Sequence, residues 1–255
     1  NTEDGDKIYE FEEKPESPKS NLASMGIYIF TWDRLRDALI EDNSIHPDSD
    51  FGKHIIPKML DEGQPMYAWR FNGYWKDVGT IQSYWESNMD LIRTLPEFNL
   101  YEDFWKIYTN SDHQPPQYTA LGSKTEEALL SDGCEIYGTV CRSIIGPGVV
   151  VEKGAVVKDS IIMADTIIGE NALIDHCVID EKCSIGKNVQ MGVGENIPNK
   201  AKPNIYNTGI TVLGMNSSVP DGIVMGKNCV IYGRTFPEDY PDGRLESGKA
   251  VVREV

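Results

Sequence analysis

No stretch of this sequence approaches the roughly 18 to 20 consecutive apolar residues that a helix needs to cross a bilayer, and no charged-then-apolar leader opens it. The reading is of a chain with neither membrane span nor signal peptide. Cysteine is scarce. All five residues (Cys134, Cys141, Cys177, Cys183, Cys229) lie in the second half and none forms a CxxC pair, which argues against a disulfide scaffold and for a reducing, cytoplasmic setting. The four histidines, His46, His54, His113 and His176, show no zinc spacing, and GxSxG, HExxH and P-loop motifs are absent. Positive charge is also short: Lys and Arg number 24 against 40 Asp and Glu, a formal net charge of −16. That balance argues against a surface built to neutralise nucleic-acid phosphates. It leaves room for a phosphate ligand, because one or two lysines and a divalent cation set the field inside a local pocket.

The 255 residues suffice for two domains with cores of their own. The opening "NTEDGDKIYEF" runs from a turn-like cluster into a strand pattern and reads as a chain entered mid-fold, a piece of something longer. The strongest organisation lies in the second half. Three 17-residue blocks align without gaps, "IIGPGVVVEKGAVVKDS" from Ile144, "IIMADTIIGENALIDHC" from Ile161 and "VIDEKCSIGKNVQMGVG" from Val178. Within them aliphatics recur at Ile145, Val151 and Val157, at Ile162, Ile168 and Ile174, and at Ile179, Ile185 and Met191. A period near six, with Gly, Asn or Asp after the apolar position, predicts three short strands per coil, each turning a corner where φ-tolerant residues are needed. One inward aliphatic per strand then stacks on its equivalent in the next coil. The run resumes at Leu213, Val219, Met225 and Ile231 after "ENIPNKAKPNIYNTG", which reads as a loop leaving the stack. This pattern resembles the hexapeptide-repeat left-handed parallel β-helices, which serve both as acyltransferase sites and as inert assembly modules. His176, the histidine inside the coils, reads as a solvated corner residue.

Before residue 112 the pattern is α/β. "KIYEF", "SMGIYIF" and "PMYAWRF" read as strands. "TWDRLRDALIED" places Trp32, Leu35 and Leu39 at helical spacing behind Thr31, and "TIQSYWESNMDLI" does the same with Ile81, Tyr84, Trp85 and Asn88 behind Thr80. Such alternation predicts a layered α/β domain. The visible strands are too few for a complete sheet with a nucleotide crevice, so the rest is expected upstream of Asn1. The expected organisation is an α/β domain over 1–112, a linker over 113–131 with a stiff double proline, and the β-helix over 132–255.

Three clusters carry possible chemistry. In "FEEKP", Pro15 disfavours a helical Lys14, so an extended backbone is expected there, with the ammonium projecting from a strand end. Lys14 reads either as a phosphate contact or as part of a solvated turn. Alternation alone puts Glu13 and Lys14 on opposite faces. In "YWKDVGT", Asp77 reads as an oxygen ligand for Mg²⁺, which needs only one or two protein carboxylates besides phosphates, or equally as a cap or a partner of Lys76. In "SDFGKHIIP", Asp50 reads as a helix cap, or as a hydrogen-bond acceptor for sugar hydroxyls beside the Phe51 ring.

Taken in order, "FEEKPESPKSNLASMGIYIF", "DFGKHIIP" and "YWKDVGTIQSYWESNMDLI", followed by a hexapeptide prism, resemble the bacterial glucose-1-phosphate adenylyltransferases, or ADP-glucose pyrophosphorylases. The resemblance spans nearly the whole chain. It implies a partial Rossmann-like nucleotidyltransferase domain followed by the left-handed β-helix, with glucose 1-phosphate and ATP as ligands, ADP-glucose as product, Mg²⁺ as cofactor and a homotetramer as the assembly. It further implies that Lys14 contacts the sugar phosphate and Glu13 the sugar. Ser24, Tyr28, Asp50, Phe51 and Trp75 fall on the substrate side, and Asp77 on the metal. The family's glycine-rich, Arg-bearing nucleotide loop and second metal aspartate precede the E-K-P motif and have no counterpart in these residues. The chain alone is therefore expected not to turn over. The rival readings are a pyrophosphorylase making dTDP-glucose or GDP-mannose, a non-catalytic regulatory paralogue, and a hexapeptide acyltransferase binding acetyl-CoA along the coils.

Overall fold

The computed structural model describes residues 1–106, 108–109 and 113–253. The expected boundary at 112/113 falls beside residues 110–112, which lie outside the described ones. Two compact units are present, Asn1–Trp75 and Lys76–Val255.

The second unit is dominated by a left-handed parallel β-helix, whose described strands form three parallel sheets of six, seven and seven strands. The sequence blocks are its register. Ile145 pairs with Ile162, and Ile162 with Ile179; Val151 pairs with Ile168 and Ile168 with Ile185; Val157 pairs with Ile174 and Ile174 with Met191. All nine are buried in one continuous core, joined by Leu213, Val219, Met225 and Ile231. Each such side chain removed from water contributes about 1.5–3 kcal/mol. The corners are made by residues at positive φ: Asp159, Asp165, Asn171, His176, Lys182 and Asn188, at steps of six or five. Asn and Asp tolerate this left-handed conformation better than other side chains.

The cysteines fit the same scheme. Ser143 Oγ accepts from the Ser160 amide at 3.1 Å, and Ser160 Oγ accepts from the Cys177 amide at 3.0 Å, so Cys177 stands one repeat along in a ladder of small buried residues. All five cysteines are free thiols, and burial pushes Cys183 and Cys229 up to about 11.

The excursion at 195–209 leaves the stack as expected and is held by two buried asparagines. Asn228 Nδ2 donates to Asn196 Oδ1 at 2.7 Å and to the Ile197 carbonyl at 2.8 Å, and Asn199 Nδ2 donates to the Asn228 carbonyl at 3.1 Å.

The helix α3 (Ile81–Leu91), expected in the α/β half, packs on the wall of the prism. Thr80 and Ser83 close a reciprocal capping box at its start. Its Ile81, Tyr84, Trp85 and Met89 cover Ile161, Val178 and Ile210, and the Trp85 indole N–H donates to the Asp159 carbonyl at 2.8 Å. Trp85 also meets the ring of His176 edge-on, centroids 4.6 Å apart. His176 is thus half-buried packing rather than a solvated corner, and burial lowers its pKa.

The first unit contains α1 (Trp32–Ile45), a π-helical turn Phe51–Ile55 and α2 (Ile56–Asp61). Its core is small: Ala38, Ile55 and Met59, with Phe30, Leu39 and Met66 against them. Trp32, expected on the inner face of α1, is exposed. The three expected strands do not form a sheet among the described residues. "KIYEF" and "PMYAWRF" meet through an isolated antiparallel bridge, Lys7 with Tyr67, supported by Ile8 N–H to Met66 O and Ala68 N–H to Asp6 O. "SMGIYIF" is extended without pairing, and Ile29 on it is 98 % exposed. Strand propensity offers a ladder edge, and without a neighbouring strand that offer is not taken up. Among the described residues no helix is long and apolar enough to cross a membrane.

Candidate functional site

The "EKP" turn is not extended. Lys14 sits at φ +50, the left-handed region that a lysine rarely occupies, and the energetic cost of such a conformation is of order 1–3 kcal/mol. The expectation from Pro15 fails because the chain bends at Glu13 and Lys14 rather than continuing as a strand. The bend also removes the alternation that would separate Glu13 from Lys14. The Lys14 ammonium lies 3.4 Å from Glu13 Oε1, and its side chain is 86 % exposed, free to reorient toward a ligand.

Glu13 reaches its position because residue 52 has no side chain. A Cβ on Gly52 would stand 2.3 Å from Glu13 Oε2 and 2.9 Å from its Cδ, with Asp50 Oδ1 at 3.5 Å. Sequence reasoning did not single out Gly52. Asp50 caps the π-helical turn, accepting from the Lys53 amide at 2.8 Å. That bond, helped by the Gly52 amide, holds its carboxyl below the usual range, so it is an acceptor at neutral pH. Phe51 stacks on Tyr28, centroids 5.7 Å apart and 16° between planes, with Phe30 at 5.8 Å. The Tyr28 hydroxyl lies 2.9 Å from Ser24 Oγ, which also accepts from the Gly26 amide at 3.1 Å. Six of the eight residues expected from the sequence thus gather on two linked contacts: Glu13 and Lys14 beside Gly52 and Asp50, and Phe51 against Tyr28 and Ser24. The carboxylates, the hydroxyls and a flat aromatic surface suit a polyhydroxylated ring, and the ammonium suits an anion.

Trp75 ends the first unit, half-exposed. Asp77 belongs to the second unit and is exposed. Its Oδ1 accepts from the Gly79 amide at 2.9 Å, a turn that leads into the Thr80 cap of α3. Lys76 pairs not with Asp77 but with Asp90 at 3.0 Å and Glu86 at 3.3 Å, both on α3. One oxygen of Asp77 is thereby fixed and the other projects, a hard donor compatible with a single Mg²⁺ bond.

His46 and His54, eight residues apart and without zinc spacing in the sequence, are stacked face to face in the first unit with ring centroids 4.0 Å apart.

A family model described as nucleotidyl transferase matches residues 1–94, and one described as GlmU-like, C-terminal hexapeptide, matches residues 117–213. A glucose-1-phosphate adenylyltransferase of Acetivibrio thermocellus is 53% identical over 254 residues, 99% of this chain and 60% of that protein. By sequence, the chain is similar over nearly its whole length to glucose-1-phosphate adenylyltransferases. A glucose-1-phosphate adenylyltransferase of Lachnospira eligens is 57% identical over 99% of the chain and 59% of its own length, and one of Thermotoga maritima 52% over 96% and 59%. The chain thus spans about three fifths of the length of these curated relatives. The two matched segments bracket residues 95–116, whereas the compact units divide at residue 75, because α3 belongs by sequence to the transferase and by packing to the prism.

Proposed function

We propose that the protein to which these residues belong joins ATP and glucose 1-phosphate into ADP-glucose, releasing pyrophosphate, in the synthesis of an α-glucan such as glycogen. The observation that carries this reading is the bent "EKP" segment, which sets a strained, exposed Lys14 beside Glu13, whose carboxylate lies against Gly52. A backbone conformation maintained at a cost is a mark of function when the side chain it presents is reactive toward a plausible ligand.

In this reading the Lys14 ammonium holds the phosphate of glucose 1-phosphate. Glu13 and Asp50 accept hydrogen bonds from sugar hydroxyls, Ser24 and the Tyr28 hydroxyl add polar contacts, and the Phe51 ring and Trp75 give the sugar an apolar face. A phosphate oxygen of the sugar phosphate attacks the α-phosphorus of ATP, the new P–O bond forms, and the bond to the β-phosphate breaks with its electrons leaving on pyrophosphate. Catalysis is then orientation and charge neutralisation, with no covalent intermediate on the chain. Asp77 would hold Mg²⁺, which supplies charge neutralisation at the phosphates when bound. The assembly is a homotetramer, and free, mostly buried thiols suit a cytoplasmic setting. No observation favours a dTDP-glucose or GDP-mannose product.

The test is steady-state kinetics of the full-length protein. Lys14→Ala should raise the KM for glucose 1-phosphate far more than the KM for ATP; an unchanged sugar-phosphate dependence would remove Lys14 from this role.

A further inference from the structure

The end of α1 carries a cluster that the proposed reaction does not use. Asp42, one turn before the end of the helix, is 2 % exposed. A carboxylate withdrawn from water needs compensating partners, and three chain segments supply them. His46, at the helix C-cap, places Nδ1 2.7 Å from Asp42 Oδ1. Ser49, in the following loop, donates its hydroxyl to Asp42 Oδ2. His54, in the π-helical turn, places Nδ1 3.9 Å from the same Oδ2.

The third partner does not complete its bond. At 3.9 Å the His54 nitrogen is beyond hydrogen-bond distance, and it is buried with no hydrogen-bond partner. An orphaned buried polar atom costs about 1–3 kcal/mol, which calls for a compensating group. The two imidazoles lie parallel, at 10° between planes, so protonating both would set two like charges face to face. Once the two rings turn out of their stack, so that each in-plane lone pair faces a common point beside the carboxylate, a cation there satisfies every group at once: the His54 lone pair, the His46 lone pair and the buried negative charge.

We infer that Asp42, His46 and His54 form a binding site for one divalent transition cation of the Zn²⁺ class, distinct from any Mg²⁺ at Asp77. The three ligand atoms lie within 4.8 Å of one another. Bonds of about 2.0–2.2 Å to a central ion hold tetrahedral ligand atoms about 3.4 Å apart, so the His46 and His54 ring nitrogens shift by well under an ångström from their 2.7 and 3.9 Å separations to the carboxylate on binding. Two imidazole nitrogens select Zn²⁺, Ni²⁺ or Co²⁺ over Mg²⁺ and Ca²⁺, which prefer oxygen. Ser49 orients the carboxylate from outside the ligand set, as such hydroxyls do around bound metals, and water completes the coordination. Binding replaces the His46–Asp42 hydrogen bond, the ring proton passing to Nε2 so that Nδ1 ligates as neutral imidazole. The ion would tie the end of α1 to the turn that carries Asp50 and Phe51, fastening the support of that loop without touching substrate.

The test uses the full-length protein stripped of metal and titrated with Zn²⁺ by calorimetry, with Co²⁺ absorption spectra and thermal melts alongside. Expected are one saturable Zn²⁺ site per chain attributable to the cluster, visible Co²⁺ bands from nitrogen and oxygen ligands, and a melting temperature raised by Zn²⁺ but not by Mg²⁺. His46→Gln and His54→Gln should each weaken that site at least about tenfold, while His113→Gln leaves it intact. His46 is half-exposed at a helix end, so its variant keeps the core should His54→Gln fail to fold. No saturable Zn²⁺ binding, or binding equally tight in the folded His46→Gln and His54→Gln proteins, overturns the inference.

Discussion

The two units follow different rules. In the prism, each inward aliphatic touches the same residue type one repeat away, and one core cluster runs from Cys134 to Leu245. In the first unit the buried cluster is Ala38, Ile55 and Met59, while Ile27, Ile29, Tyr67 and Trp69 stand largely exposed. A repeat buries its apolar face against its own next copy. An α/β layer must bury it against different elements, and this chain supplies few of them. Order in the prism is cumulative and local, whereas order in the first unit is borrowed from particular contacts such as Glu13 on Gly52. The candidate side chains around Lys14 sit where support is thinnest and the backbone is strained, a setting common to binding loops.

Five changes would break or sharpen that contrast. The largest effect should come from Ile174→Ala, which opens a cavity in a column pairing with Val157 and Met191. The expected loss is about 3–5 kcal/mol, read as a lower midpoint in chemical denaturation followed by strand circular dichroism. A loss under about 1 kcal/mol would mean that the stacked core collapses around the gap. Next, Trp85→Ala removes the indole packing and its bond to the Asp159 carbonyl, at about 2–4 kcal/mol. Hydrogen exchange should show α3 opening while the distant coils stay protected; uniform protection would deny that the helix depends on this anchor.

Third, Lys14→Ala in the full-length protein should cost about 1.5–3 kcal/mol of sugar-phosphate binding, roughly 10- to 150-fold in KM, with the melting temperature unchanged because alanine keeps the Cβ that strains this position. Gly52→Ala should act on the same step more weakly, by displacing Glu13. The smallest effect concerns pH. Burial lowers the His176 pKa, so the unfolded chain takes up this proton before the folded one does. Stability is therefore complete above the unfolded value of about 6.5 and falls as pH drops through it. His176→Asn, which keeps a residue suited to positive φ at that corner, should remove this component of acid sensitivity; an identical pH profile would show that His176 contributes none.

Much of the prism was legible because a period survives translation into space: the 17-residue blocks are the strand register. The helix after Thr80 was equally legible as an element, but its destination was not. A periodic face tells that something is covered, not what. The signal for its partner was present in the outward members of the apolar doublets, Ile161 and Val178, which a solvated wall would leave polar. In the first unit the residue types of the candidate site were readable, and Asp50 as a cap was readable from local chemistry. Lys14 was misread because the preference imposed by Pro15 is a local average that the turn overrides. Gly52 and the histidine pair were missed because both depend on contacts across a helix end and a π-helical turn, which no spacing rule encodes.

Trp85 fastens more than a helix. Its indole is bolted to the main chain of a prism corner, so α3 cannot slide along the wall without giving up that bond. The turn at the helix's head, where Gly79 grips Asp77, inherits the wall as its frame of reference. When the coils bend like an elastic rod, this carboxylate rides with them. The stiffness of a part with no chemistry assigned to it thus limits how steadily one oxygen atom is aimed.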